Sequence, residues 1–300
     1  MGNGVIYVND RMVPADGLHL SALDRGFSLG DGVFETLRVV GGSPFRLGDH
    51  YARLHRSAAA VGLAVPFGLE EMRSVVSAVL SANDLRDALV RITLSRGVPE
   101  ERGLLPPASP AQSFVVQAHA FVGYPEERYQ KGFRVVIATV RRNETSPLSY
   151  IKSCSYLDSV LARMEAHRRG GDEALLLNTS GWVACGTSSN LFLAFQGSLV
   201  TPSLDCGVLD GVTRRTVLDL ARGLQVECVE RRISLDELRS AEEAFLTNCA
   251  IGVMPVVAVD NHPIGQGAPG PLCRKIRSAN TRLLHNDVRP LEGCAAPRHE

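Results

Sequence analysis

Long hydrophobic runs are missing from these 300 residues: no stretch approaches the roughly 18 consecutive apolar positions that cross a bilayer. A membrane-spanning protein is therefore not expected. The stretch MGNGVIYVNDRMVPADG lacks the basic flank and apolar core of a secretory leader, so a cytoplasmic location is expected. Neither sign of charge is in excess, because Lys plus Arg and Asp plus Glu both total 32. With no basic stripe, nucleic acid and anionic membrane are excluded as expected partners, and small-molecule chemistry is favoured. The seven cysteines stand singly at 154, 185, 206, 228, 249, 273 and 294 without a CxxC pair, which argues against a disulfide framework or zinc knuckle. The eight histidines lack HExxH spacing, and no metal is expected. Lysine is the scarcest charged residue: there are only three, at 131, 152 and 275, so 29 of the 32 basic residues are arginine.

What is present fits a globular chain, with 45% hydrophobic and 21% charged residues and enough length for two domains of mixed α/β (α+β) type. Strand patterns at 4–9, 34–40, 88–95 and 113–121, with helices over about 48–61 and 69–81, predict a small N-terminal domain over 1–122. The first helix places Tyr51, Leu54, Ala58 and Val61 on one face and His50, Arg53 and Ser57 along another. The polar, turn-rich GYPEERYQKG predicts a linker at 123–132, and the pattern restarts in a larger domain over 133–300. There the sequence predicts strands at 133–140, 173–178, 190–195, 198–201, 243–248 and 253–259, and helices over 155–169, 212–223 and 270–285.

Of the three lysines, Lys131 lies in the predicted linker and Lys275 in the basic turn RKIR, both suited to solvent. Lys152 sits in YIKSCSYL, between Ile151 and small residues. An amine can lose its proton and attack a carbonyl, which a guanidinium cannot, so Lys152 is a candidate Schiff-base former. A lysine snorkelling at a strand end fits the segment as well. Ser155 and Asp158 have the S-x-x-D spacing of a helix cap, which would put Lys152 just ahead of a positive helix end. In LDGVTRRTVLDLA, Gly211 stands at a helix mouth, with the N–H groups of Val212 and Thr213 and the Thr213 hydroxyl able to hold a phosphate.

LGDGVFETLR, DHYARLHRSA, IKSCSYLDSVLA, GWVACGTSSNLF, LDGVTRRTVLDLA and FLTNCAIGVMPV follow one another in the order and rough spacing of the class IV aminotransferases, the fold type IV pyridoxal-phosphate enzymes. The resemblance spans about residues 4 to 260. It implies pyridoxal 5′-phosphate as cofactor, a two-domain fold whose larger C-terminal α/β domain is β-barrel-like, and a homodimer. Lys152 matches the lysine that bonds the cofactor and then moves protons at the amino carbon. Arg53 matches the phosphate-binding arginine, Gly211, Val212 and Thr213 the phosphate cup, and Asn248 and Cys249 its opposite wall. Tyr156 lies near the place of a tyrosine against the cofactor's phenolic oxygen. Ser188, Ser189 and Leu209 complete the cofactor-binding set, and Phe34, Thr36, Arg102 and Ala250 the substrate-binding set.

Cys185 departs from the family, which carries a glutamate there beneath the pyridine nitrogen. A neutral thiol cannot keep that nitrogen protonated, which weakens the ring as an electron sink. Together with the look of FETLRV and TNCAIGVMPV, this favours a lyase that converts 4-amino-4-deoxychorismate to 4-aminobenzoate and pyruvate by elimination. An amino acid aminotransferase of branched-chain or D-amino acid type is the alternative, and a pyridoxal-phosphate-binding protein without turnover a third.

Overall fold

The computed structural model describes residues 4–101, 103–106 and 111–286 and separates into two compact units. In chain order the first contains β1 (Val5–Val8), β2 (Arg11–Pro14), α1 (Arg25–Leu29), β3 (Gly32–Val40), β4 (Ser43–Pro44), α2 (Leu47–Ala60), α3 (Leu69–Ala82), β5 (Ala88–Val98) and β6 (Ala111–Ala120). The second contains α4 (Glu126–Lys131), β7 (Phe133–Ile137), α5 (Leu157–Arg168), β8 (Glu173–Leu177), β9 (Val183–Gly186), β10 (Asn190–Phe195), β11 (Ser198–Pro202), α6 (Val212–Gly223), β12 (Cys228–Arg231), α7 (Leu235–Ser240), β13 (Glu243–Asn248), β14 (Gly252–Val259), β15 (His262–Pro263) and, up to Leu283, α8 (Pro271–Asn286).

In the first unit the strands run β2-β1-β6-β5-β3-β4. Val33, Leu37, Val39, Val90, Ile92 and Leu94 of the sheet pack on Leu54 and Ala58 of α2 and Met72, Val76 and Val79 of α3. These apolar helix positions recur at three- and four-residue intervals, which gives each helix one buried stripe. Lys152–Ser155 also belongs to this unit. β4 covers β3 only at Val39 and Val40, leaving the edge at Gly32–Phe34 to residues 152–154. Cys154 N–H donates to Gly32 O at 2.8 Å, Phe34 N–H to Lys152 O at 2.9 Å, and Val33 bridges Ser153.

The second unit has a sheet in the order β12-β11-β10-β13-β14-β7-β8-β9, with β15 on β14. It curls until β9 returns beside β10 and β11. One core fills it with Leu175, Leu191, Leu193, Leu246 and Met254; another lies under α6 and α8, where Phe192 stacks on Phe245 with centroids 5.1 Å apart. Residues 123–132, expected as a linker, hold α4, whose Tyr129 hydroxyl donates to Ile251 O at 3.1 Å.

The expected S-x-x-D cap does not form. Helix α5 starts at Leu157, Tyr156 is its N-cap, and no side chain caps it, because Ser155 is drawn into the first unit with the lysine segment. The sequence does not predict β2, β9, β12 or α7, which are four to six residues long and without a resolvable period. Among the described residues no helix is long and apolar enough to cross a membrane, no group of His, Cys, Asp and Glu could hold a metal, and the cysteines are free.

Candidate active site

The expected site residues divide between the units. Phe34, Thr36, Arg53 and Lys152 lie in the first, and Tyr156, Cys185, Ser188, Ser189, Leu209, Gly211, Val212, Thr213, Asn248, Cys249 and Ala250 in the second. Arg102 lies outside the described residues.

Lys152 is half-buried and held through its main chain: besides the bond to Phe34, its N–H donates to Ser57 Oγ of α2 at 3.2 Å. Its Nζ stands 4.4 Å from the centroid of the Phe34 ring, and the Arg91 guanidinium carbon 3.7 Å from the same centroid. Thr36 shares the Phe34 face of β3 and pairs with Arg91 of β5. The ring's negative π-face suits both cations.

Glu35 points to the opposite face, against α2, and is 1% exposed. Arg53 donates from Nε to Oε1 and from Nη2 to Oε2, each at 2.7 Å, and His50 Nδ1 lies 2.7 Å from Oε2. Arg53 is thus buried in a bidentate ion pair, where a helical arginine of ordinary surface type would be solvated. Burial works to raise the Glu35 pKa, but the Arg53 charge and the hydrogen bonds from Arg53 and His50 outweigh it and hold the group down at about 2. Burial pushes His50 below its ordinary value against the pull of Glu35, and Arg53 and Lys152 add to the lowering. Near neutral pH the network is therefore a carboxylate, a guanidinium and a neutral imidazole that donates its Nδ1–H.

A depressed carboxylate stabilises the fold above its unfolded pKa and loses that contribution as pH falls toward its folded pKa. The interval from the ordinary 4.5 to about 2 corresponds to about 3 kcal/mol. Denaturant titrations between those pH values are expected to show that loss, and Glu35→Gln to flatten the profile. An unchanged slope in the variant would remove Glu35 as its source.

In the second unit three hydrogen bonds tie residues 187–190 to Leu209, Asn248 and Glu173. Asn190 Nδ2 donates to Leu209 O at 2.9 Å, Asn248 Nδ2 to Ser188 O at 3.2 Å, and Thr187 Oγ1 to Glu173 Oε1 at 2.7 Å. Asn248 Oδ1 accepts from the N–H groups of Ala250 and Ile251 at 2.9 Å each, which shapes the turn after β13 around Cys249. Gly211 is the N-cap of α6 and supplies no side-chain cap to its first turn, where Val212 and Thr213 lie. A Cβ on Gly211 would collide with Asn190 Oδ1. Ser189 Oγ is buried without a protein partner. An uncapped helix start behind a glycine and, in the same unit, an orphaned buried hydroxyl fit a phosphate-bearing ligand.

Cys185 lies on β9 opposite Leu176 and packs with Ala184, Cys206 and Val208. Burial pushes its thiol above the ordinary value, Arg142 opposes this, and Glu173 reinforces it, so the group stays a neutral S–H. Arg142 itself donates from Nε to Gly207 O at 2.9 Å and from Nη2 to Ser149 O at 2.7 Å.

The sequence profile of the family described as amino-transferase class IV matches residues 32–259. The chain belongs to the class IV aminotransferases. It is 36% identical to a Methanocaldococcus jannaschii protein provisionally named a branched-chain-amino-acid aminotransferase, covering 91% of this chain and 93% of that one. It is 32% identical to a Bacillus licheniformis D-alanine aminotransferase, covering 91% and 95%. The solved T.th. branched-chain amino acid aminotransferase with pyridoxamine 5′-phosphate superposes with a TM-score of 0.90 at 31% identity, over 97% of this chain and 96% of that one. A class IV aminotransferase is a pyridoxal-phosphate-dependent enzyme of fold type IV, and so is this chain. The lyase preference gains no support from these relatives, all named aminotransferases; the aminotransferase alternative is better supported.

Beyond the expected set, Glu35, His50, Ser57 and Arg91 are gathered around Lys152, Arg53 and Phe34. The available signal was a glutamate in line with Val33, Leu37 and Val39 on the apolar face of GVFETLRVV, which needs a buried cation.

Proposed function

We infer that the chain is an amino acid aminotransferase of branched-chain or D-alanine kind, moving an amino group between an amino acid and a 2-oxo acid. The supporting observation is the match, over nine-tenths or more of both chains, to relatives of those two names. Pyridoxal phosphate, when bound, supplies an aldehyde carbon that joins amines and a ring that draws electrons from the bonds at the amino carbon.

On this reading Lys152 Nζ is the amine that joins the cofactor in the resting enzyme. Once displaced by substrate it moves the proton at the amino carbon. Ser57 and Phe34 hydrogen-bond the Lys152 main chain, at its N–H and its carbonyl, and the Phe34 ring lies 4.4 Å from Nζ. The N–H groups of Val212 and Thr213 and the Thr213 hydroxyl take phosphate oxygens, with Gly211 giving them room. Arg53 is the phosphate-binding arginine, while Asn248 holds the turn that presents Cys249. Cys185 is assigned to the ring nitrogen; Tyr156, Ser188, Ser189 and Leu209 to the remaining cofactor contacts; and Phe34, Thr36, Arg102 and Ala250 to substrate.

Assays of the purified holoenzyme with L-valine, L-leucine or D-alanine, each with 2-oxoglutarate or pyruvate, test the reading. Turnover that requires the 2-oxo acid supports it. Pyruvate release from 4-amino-4-deoxychorismate without any acceptor, and no acceptor-dependent turnover, would overturn it.

The homodimer is part of the same proposal. Leu157, Val160, Leu161 and Met164 recur at helical spacing on α5 and are 46–68% exposed, an apolar stripe that a second copy would cover. Light scattering is expected to give twice 32.4 kDa, and a monomer mass would remove this part.

A further inference from the structure

We propose that Glu35 and His50 are positioning residues for Arg53, and that helix α2 sets the register of the phosphate-binding arginine and the reactive lysine together. This deepens the proposed function and rests on its assignment of Arg53 to the cofactor phosphate.

Glu35 takes an N–H from Nε and another from Nη2, one on each carboxylate oxygen, and so fixes the plane of the guanidinium as well as its position. His50, one turn earlier on α2, lies against Oε2 and fixes the carboxylate in turn. All three residues are at most 6% exposed, so no water competes for these bonds and the arrangement is held rather than sampled. Ser57, one turn after Arg53 on the same helix, receives the Lys152 main-chain N–H. On the strand side Phe34, adjacent to Glu35, donates its N–H to Lys152 O. β3 and α2 therefore each touch both functional groups: β3 through Phe34 and Glu35, α2 through Ser57 and Arg53.

The ion pair also sets what Arg53 contributes. Its charge is matched by the Glu35 carboxylate, so toward a phosphate it acts as an oriented hydrogen-bond donor more than as a net positive charge. Orientation is what an anchored cofactor needs, because its aldehyde must meet one particular amine. The neutral His50 adds no charge of its own, and its Nδ1–H is committed to the carboxylate.

Full-length apo-protein titrated with pyridoxal phosphate and, separately, with pyridoxal reads this directly, because the two ligands share the aldehyde and differ in the phosphate. The ratio of the two affinities isolates the phosphate interaction from general loosening. Glu35→Gln places an amide N–H against one of the arginine donors, and is expected to lower that ratio by about tenfold while leaving pyridoxal affinity unchanged. His50→Asn, whose amide can stand in for Nδ1–H, is expected to keep the wild-type ratio, whereas His50→Gln is expected to lower it. The His50 pair retains the buried ion pair and carries the test even where the Glu35 variant fails to fold. Equal loss of both affinities in Glu35→Gln and His50→Gln, or loss of neither in them, would overturn the positioning role. A wild-type protein that binds pyridoxal as tightly as pyridoxal phosphate would instead overturn the assignment of Arg53 itself.

Discussion

Replacing Lys152 with alanine is expected to lower aminotransferase turnover by on the order of 10³-fold or more, the combined loss of a nucleophile and a positioned proton carrier. The fold is expected to survive, because the hydrogen bonds that seat this segment come from main-chain atoms: Lys152 N–H to Ser57, Phe34 N–H to Lys152 O and Cys154 N–H to Gly32 O. Alanine preserves every one of them. The truncation takes Nζ away from the face of the Phe34 ring, a partly solvated cation–π pair worth about 1 kcal/mol. Lys152→Arg separates charge from chemistry, since it keeps a cation near Phe34 but cannot lose a proton and attack a carbonyl. Both variants should therefore be inactive and both should melt close to the wild type. Borohydride reduction followed by peptide mass analysis gives the covalent counterpart: the wild-type holoenzyme should carry the reduced cofactor on the Lys152 peptide, and neither variant should. Turnover within tenfold of wild type in Lys152→Ala, or label on Lys131 or Lys275, would sink the assignment.

The sequence was readable where one residue type or one period stood out. Lys152 stands out as a candidate because the chain otherwise uses arginine, and α6 is legible because Val212, Thr216, Val217 and Ala221 repeat at helical spacing behind a glycine. The Arg53 environment was not visible. Its partner Glu35 is 18 residues away on a strand, and nothing local distinguishes an arginine that will be buried in an ion pair from one on a solvated face. The S-x-x-D signal failed for a related reason. Local spacing favours a cap at Ser155, but the pairing of residues 152–154 with the edge of β3 commits Ser155 to the other unit before the helix begins. Strand β9 was hidden because GWVACG is short and lies next to its own turn, and its place beside β8 depends on Leu175 and Leu176, about ten residues back. The lyase reading rests on Cys185 and on the look of FETLRV and TNCAIGVMPV, and these local signs do not outweigh what the whole chain's likeness to aminotransferases supports.

That departure still has a measurable consequence. If Cys185 meets the ring nitrogen, a buried neutral thiol leaves the nitrogen without the anion that would retain its proton, and the aminotransferase works with a weak electron sink. Cys185→Glu is therefore expected to raise kcat for transamination by about tenfold, equivalent to about 1.4 kcal/mol off the barrier. It should also shift the pH dependence of the bound cofactor's absorption. The same change inserts a longer side chain and a charge into the cluster of Ala184, Cys206 and Val208, so a stability loss of about 1–3 kcal/mol should accompany the gain. Arg142, whose charge already acts on Cys185, is the cation that would compensate the new carboxylate. Cys185→Ser separates size from charge: it is neutral and close in volume, and should leave kcat within about threefold and the absorption unchanged. A Glu variant that melts lower with no gain in kcat and no spectral change would show that position 185 packs the barrel without touching the ring, and the thiol would then be a core residue and nothing more.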